Sequence, residues 1–461
     1  MDSSQSPAPR ENHPSSDGDA ALSEGMRVAK ERVEIAIGAQ WYALEEFVLT
    51  DEMVDNIHLF APVIAADRRV VGLRNGKHDR AVGAIANVLR QSMYVKTVFV
   101  AFNQYTHAED VENLCMSIKG SSSLKKIHLL HFPDELTRAL VDAMEKCTSL
   151  VSVTLFKNVM SSAAEHIITQ FIARRTLVDF SLIFLDQPAA INRMLPCIAG
   201  RGILRRLELN SCNLRGKEVG ETLGRAISYP ARITSLCLAR GNMGDDGVCA
   251  MFDAMGPRSV VRRISMAYND IGLKGAMAIA RFMERSKCVR KLHLSDNRIN
   301  DNGAIAILYA AERTLPLLEE IGLGDNEFSD KALRVAYRII PRLVSLSSIE
   351  MNSRYAVTES PEYMERCLSA AVDSNQSLSH ASFCSWMDMA DDRFGAKISD
   401  SVQSRPKTTT VRRTDVPSFD RVTSIPSLIC IELCHEDLCT VLASPAVSAV
   451  KRLSLVCCSF I

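Results

Sequence analysis

Four segments, ITSLCLARGNM from Ile233, VRRISMAYNDI from Val261, VRKLHLSDNRI from Val289 and LEEIGLGDNEF from Leu318, repeat one pattern at intervals of 28, 28 and 29 residues. Each has apolar residues at relative positions 1, 4, 6 and 11, and Asn or Gly at position 9. Leu204, Leu207, Leu209, Cys212 and Leu214 extend the series upstream, with Cys at the Asn position. The stretches between them repeat as well. Gly247, Gly275 and Gly303 head a second set of columns containing Met251, Ile279 and Ile307, then Met255, Met283 and Ala311. The spacing of four between such columns is helical, whereas positions 4 and 6 alternate as on a strand. Each unit is therefore a short strand, a turn and a helix returning antiparallel to it. A fixed period of this length is the mark of a solenoid, because no single unit buries its apolar face alone.

This pattern resembles the leucine-rich repeat family, and within it the ribonuclease-inhibitor-like class, most strongly over 204–345. Fainter copies precede that stretch: Val95, Val98, Val100 and Asn103; Leu124, Ile127 and Leu129; Leu150, Val153, Leu155 and Asn158; Leu177, Phe180 and Leu182. A degenerate unit near Arg68 and others at Leu346 and Leu378 widen the resemblance to roughly 68–400. It implies an α/β solenoid, a horseshoe with the parallel sheet on the concave face and α-helices on the convex face. Strands about 4.8 Å apart backed by helices about 10 Å apart force that curvature. Asn or Cys at position 9 is expected to satisfy backbone groups buried where the chain leaves the strand.

Outside the repeats, residues 1–24 hold Asp2, Glu11, Asp17, Asp19 and Glu24 against Arg10 and almost no large apolar residue, which predicts a disordered tail. Residues 25–67 show helical apolar spacing (Met26, Val33, Ile37, Trp41, Leu44, Phe47 and Val48 among them) and read as a helical N-terminal cap on a solenoid of 68–397. The stretch 398–427, rich in Ser, Thr and Arg, reads as a flexible insertion, and its RPKTTTVRRT segment as a possible phosphorylation site. Degenerate terminal repeats are expected over 428–461, aligned as Leu428, Ile431 and Leu433 with Val450, Leu453 and Leu455. The last of these has a strand without a helix, an expectation of an uncovered sheet edge or a shortened final unit.

The 461 residues include 54 Lys and Arg against 54 Asp and Glu, so no global field draws the chain to nucleic acid or to an anionic membrane. Fourteen cysteines without framework spacing read as reduced thiols. With a start lacking the form of a secretory signal and no long apolar run, they point to a cytoplasmic protein. The pair His128 and His131 lacks companions with ligand spacing, and no phosphate-loop, dinucleotide, zinc-protease or nucleophile-elbow motif occurs. No catalytic residue, cofactor or metal is therefore assigned, and the chain reads as non-enzymatic.

The candidate site is the concave face, where positions 3, 5 and 7 point. In the N-terminal half these positions carry the apolar Phe99, Leu130, Phe156 and Ile183, with Phe102 and Phe184 one step further. Position 3 carries Lys126 and then the basic Arg206, Arg263 and Lys291, interrupted by Ser152, Asp179 and Ser235. An apolar stripe on an exposed face marks an interaction surface. The resemblance implies the same role: a scaffold that grips a partner protein, on its own or within a larger assembly. Alternatives carried by the resemblance are a GTPase-activating regulator of a small GTPase and a sensor or adaptor module of an immune-type receptor or ubiquitin ligase. None of the GTPase-activating proteins' functional residues can be placed on this chain, and neither a nucleotide-binding module nor an F-box-like helical segment is evident in it.

Overall fold

A computed structural model describes residues 16–39, 47–174, 177–198, 203–228, 231–314, 317–353, 361–375 and 377–382, together with the strand segments 409–412, 427–431 and 452–456. The chain divides into two compact units, Met1–Phe180 and Ser181–Ile461.

The first unit opens with helix α1 (Ser16–Ala39), strand β1 (Phe47–Val48) and helices α2 (Asp51–Asp55) and α3 (Ile57–Ala66). Strand and helix then alternate: β2 (Gly72–Arg74), α4 (Ala81–Gln91), β3 (Thr97–Ala101), α5 (Ala108–Gly120), β4 (Lys126–Leu130), α6 (Thr137–Lys146), β5 (Ser152–Phe156) and α7 (Ser162–Arg174). Within it β1 to β5 pair in sequence order, each parallel to the next. Strand β6 (Asp179–Ile183) lies at the boundary of the two units.

The second unit continues the alternation with α8 (Pro188–Ile198), β7 (Arg206–Glu208), α9 (Lys217–Ala226), β8 (Ser235–Cys237), α10 (Gly244–Ala254), β9 (Arg263–Ser265) and α11 (Leu273–Ser286). It proceeds through β10 (Lys291–His293), α12 (Asp301–Arg313), β11 (Glu320–Gly322), α13 (Asp330–Ile339), β12 (Ser348–Glu350), α14 (Pro361–Ser374) and β13 (His380–Ser382). Strands β7 to β13 also pair parallel and in order. A separate parallel sheet holds β14 (Thr409–Arg412), β15 (Ser427–Ile431) and β16 (Arg452–Val456).

The repeat alignment and the strand register agree residue by residue. Arg263 pairs with Ser235 and Lys291, and Lys291 with Glu320, so position 3 of one unit lies beside position 3 of the next. Positions 4 and 6 are buried throughout, as at Val98 and Val100, Ile127 and Leu129, Leu292 and Leu294. They meet the buried helix columns Ala276, Ile279 and Met283 or Ala304, Ile307 and Ala311, forming one apolar layer between strands and helices.

Position 9 closes each turn. Asn297, 1 % exposed, accepts from the backbone N–H of Asn269 (2.9 Å) and Ile271 (3.1 Å) and donates to the carbonyls of Met266 (3.0 Å) and Leu294 (2.9 Å). Asn326 repeats the arrangement one unit on, accepting from Ile299 and donating to Leu294 and Leu323. Where Cys212 takes the place of Asn, its Sγ donates to the Leu182 carbonyl at 3.2 Å, and burial pushes the thiol up to about 12. Position 8 has left-handed backbone at His131, Phe184, Ser211, Arg240, Tyr268, Asp296 and Asp325, φ 55–71°, the conformation that swings the chain off the strand.

Helices pack closest where glycines face each other. A Cβ on Gly220 of α9 would stand 2.1 Å from the Gly247 carbonyl oxygen of α10, and one on Gly224 2.3 Å from that of Met251. Helix starts are tied across units too: the Asp245 carboxylate accepts from the N–H groups of Gly272 and Gly275, and Asp301 from those of Ser329 and Ala332. These carboxylates satisfy donors that a helix N-terminus leaves open.

Four expectations need correction or placing. Helix α1 begins at Ser16, inside the stretch expected to be disordered, and its buried Ala29 and Val33 lie beyond residue 24, outside the composition on which that expectation rested; residues 1–15 lie outside the described ones. Phe47 and Val48, read as part of a helical cap, form β1 against Leu73 and Arg74, ending where Thr50 caps α2. In the terminal sheet Leu428 pairs with Leu453 and Ile431 with Val456, so Leu428 does not stand opposite Val450 as the repeat alignment had it. The insertion 398–427 contains β14 and the first residue of β15; its other residues lie outside the described ones.

Candidate protein-binding surface

The face of each sheet turned away from its helices is built by alternation alone. On β3 the buried Val98 and Val100 leave Thr97, Phe99 and Ala101 on the open side, and the parallel register carries that choice from strand to strand.

In the first unit the open face mixes apolar Phe99, Ala101, Leu130 and Phe156 with Thr97, Lys126, His128 and the buried Ser152 and Thr154. Leu130 and Phe156 are register partners at position 7, both half-buried. Phe99 stands one column over, at position 5, stacked on its register partner His128 with ring centroids 4.0 Å apart and planes 6° from parallel. Burial, aided by the nearby Lys126 cation, lowers the His128 pKa to about 4, so it is a neutral aromatic surface at physiological pH. Phe102, expected beside this stripe, is buried instead, edge-on to Phe132 at 6.5 Å. Behind the stripe Lys157 is buried, donating to the Phe132 carbonyl at 2.6 Å and pairing with Asp134 at 2.5 Å.

In the second unit Ile183 is half-buried and Phe184, on its left-handed turn, is 47 % exposed. Arg206 and Arg263 are exposed at position 3, and no ion pair among the described residues includes either. Lys291, placed with them by the sequence pattern, differs: it pairs with Glu320, and both side chains are 21 % exposed. Glu320 also receives His293 at 3.4 Å, and these two donors hold its carboxyl down at about 2 against the opposing effect of burial. From β11 onward the face is acidic and polar. Glu350 lies over Gly324, where a Cβ would come within 2.6 Å of its Oε1; burial and the Asp325 charge raise its pKa.

Aromatic features that the column reading passed over sit on the position 8 turns. The Arg240 guanidinium lies 4.7 Å from the centre of the Tyr268 ring, and the Tyr268 hydroxyl bonds Asp296, which raises its pKa. The left-handed turn that orients Tyr268 leaves no mark in an apolar pattern.

Among the described residues no group of three His, Cys, Asp or Glu is placed to hold a metal ion. Nor is any described helix long and apolar enough to cross a membrane.

A leucine-rich repeat family model matches residues 259–280 and 285–308. No curated protein matches the chain. Among solved structures it is similar to a chain of the yeast Rad7 and Elc1 complex (12 % identity, 79 % of this chain and 88 % of that one, TM-score 0.44). It is similar also to an internalin from Listeria monocytogenes (12 % identity, 80 % and 88 %, TM-score 0.33), and to leiomodin-1 actin-binding site 2 (15 % identity, 35 % and 90 %, TM-score 0.28). Two of the strand-and-helix units thus match a leucine-rich repeat model, and the same period continues through the units beside them.

Proposed function

We propose that this chain is a non-enzymatic interaction platform of the ribonuclease-inhibitor-like class, holding a partner protein against the open faces of its sheets, alone or within a larger cytoplasmic assembly. The observation that carries the reading is the ladder of Leu130 and Phe156, flanked by the Phe99–His128 stack, on the sheet face opposite the buried positions 4 and 6. Solvent-facing strand positions are ordinarily polar, and a contiguous apolar patch rimmed by polar groups is the form of an interaction site. Ile183 and Phe184 offer further apolar area in the second unit, and Arg206 and Arg263 offer charge for orienting a partner. The described cysteines are free thiols, which suits a reducing compartment.

The test is site-specific photo-crosslinking in cells with the probe at Phe156 or Arg263, and, as controls, at the exposed helix residues Met116 or Met277. The reading expects the same protein to be crosslinked from the sheet positions and not from the helix positions. Crosslinks confined to the helix positions would refute it.

A further inference from the structure

The second unit carries a charge pattern that extends beyond Arg206 and Arg263 of the open face. Its four successive helix-to-strand connections, 199–207, 227–236, 255–264 and 286–292, hold ten Lys or Arg and no Asp or Glu, in a chain whose charges balance at 54 each. The strand-to-helix turns at the other end of the same repeats carry both signs, Asp270 and Asp296 with Arg215, Arg240 and Arg298. The helix macrodipole favours cations at a helix C-terminus, but its influence fades beyond the last turn. It accounts for Arg225 and Arg285, which sit in the last turns of α9 and α11 and are not among the ten. It does not cover Arg232, Arg258, Arg262 and Arg263, which lie past the helix ends, at or just before the strands, and are exposed.

Ion pairing does not account for them either. At β10 the pattern is neutralised, because Arg290 pairs with Glu319 at 2.8 Å and Lys291 with Glu320. Along β7 to β9 no ion pair among the described residues includes Arg205, Arg206, Arg232, Arg258, Arg262 or Arg263. The one side-chain bond in the group runs from the Arg205 guanidinium to the Arg232 carbonyl at 3.3 Å. Arg206 and Arg263 flank Ser235 in the ladder, and so stand about 10 Å apart, two strand spacings. Two exposed apolar side chains, Ile203 and Val260, hold equivalent positions immediately before the repeats on this rim.

We propose that the strand-entry rim of β7 to β9 is a docking surface for an acidic segment of a partner protein, one in which carboxylates alternate with apolar side chains. Planar guanidinium groups suit bidentate carboxylate recognition. Ile203 and Val260 favour a polypeptide over a bare polyanion, which has no apolar side chains to set against them. The inference rests on the platform reading to the extent that both require a protein partner, and it names that partner's chemistry.

The experiment measures binding to the full-length chain of a synthetic peptide alternating glutamate with leucine. Its glutamine counterpart, a single-stranded oligonucleotide and phosphatidylserine vesicles are measured alongside. The acidic peptide should bind, weaken as salt shortens the range of the charges, and exceed the glutamine peptide. The triple variant Arg232→Glu, Arg262→Glu, Arg263→Glu should weaken it by at least about tenfold, as should Arg258→Glu with Arg262→Glu should the triple variant fail to fold. Lys331→Glu on α13 should leave it unchanged. Absence of peptide binding, equal binding by the rim variants, or tighter binding of the oligonucleotide or vesicles would overturn the assignment. If the peptide fails while Phe156 still crosslinks a partner, the rim falls and the platform stands; the reverse pair of results removes the open face and keeps the rim.

Discussion

Replacing Asn297 by Ala removes the acceptor for two buried N–H groups, those of Asn269 and Ile271, and the donor to the carbonyls of Met266 and Leu294. At 1 % exposure of Asn297, water does not take its place without rearrangement. A buried donor left unpaired costs about 1–3 kcal/mol, so the two N–H groups alone amount to about 2–6 kcal/mol. That is a large share of the roughly 5–15 kcal/mol that holds a typical domain folded. Because stacked repeats unfold locally, a single global midpoint blurs the effect, and amide hydrogen exchange resolved by residue is the better assay. Asn297→Ala should accelerate exchange at Asn269 and Ile271 before it does so elsewhere. Asn297→Asp makes the mechanism specific: it keeps the acceptor and so protects those two amides, but it turns a carboxylate toward the carbonyls. That variant should therefore gain stability as pH falls and the carboxyl becomes a donor. Unchanged exchange at Asn269 and Ile271 in the Ala variant would refute the claim that position 9 holds the turns together.

Gly220→Ala should destabilise the second unit, by at least the roughly 1–3 kcal/mol typical of overpacking, because its Cβ meets the Gly247 carbonyl at 2.1 Å; Gly120→Ala, with nothing within 4 Å, should be neutral or slightly stabilising in the same melt. Leu294→Asp should be severely destabilising by several kcal/mol, an unpaired carboxylate at a fully buried site, and a wild-type melting curve would contradict the strand register. Glu320, its pKa lowered from 4.5 to about 2 by His293 and Lys291, contributes stability that is complete above its unfolded value and is lost as pH falls from about 4.5 to 2. The acid-unfolding curves of wild type and Glu320→Gln should therefore converge toward pH 2 and separate above pH 4.5.

The repeat was legible in the sequence because positions 1, 4 and 6 answer to a single demand, burial between two layers, and that demand recurs every 28 or 29 residues. The same logic placed Asn297 and Asn326 at buried turns. It separates the fully buried positions 4 and 6 from their strand neighbours, so Phe99, Leu130, Phe156 and Ile183 are half-buried and Arg206 and Arg263 exposed. It failed where a residue's fate depends on a neighbour in space. Lys291 and Arg263 occupy one column, yet Lys291 faces Glu320, itself the next residue in that column, and is neutralised. Phe102 follows the strand by one residue and turns inward against Phe132. Strand β1 was missed because two residues are too short a stretch to show alternation. The rim of arginines lies between the repeating positions, where a search for apolar columns does not look.

The central claim, that the open sheet face engages a partner protein, is tested most directly by the rate constants of an identified partner for wild type, Phe156→Ala and Arg263→Glu. Loss of a desolvated aromatic anchor acts on residence time, whereas an exposed charge acts on encounter. Phe156→Ala should therefore speed dissociation by an amount near the 2 kcal/mol or more typical of an anchoring residue, with association little changed. Arg263→Glu should slow association and flatten its salt dependence. Wild-type association and dissociation rates in both variants would contradict the claim and move the partner to another surface of the chain.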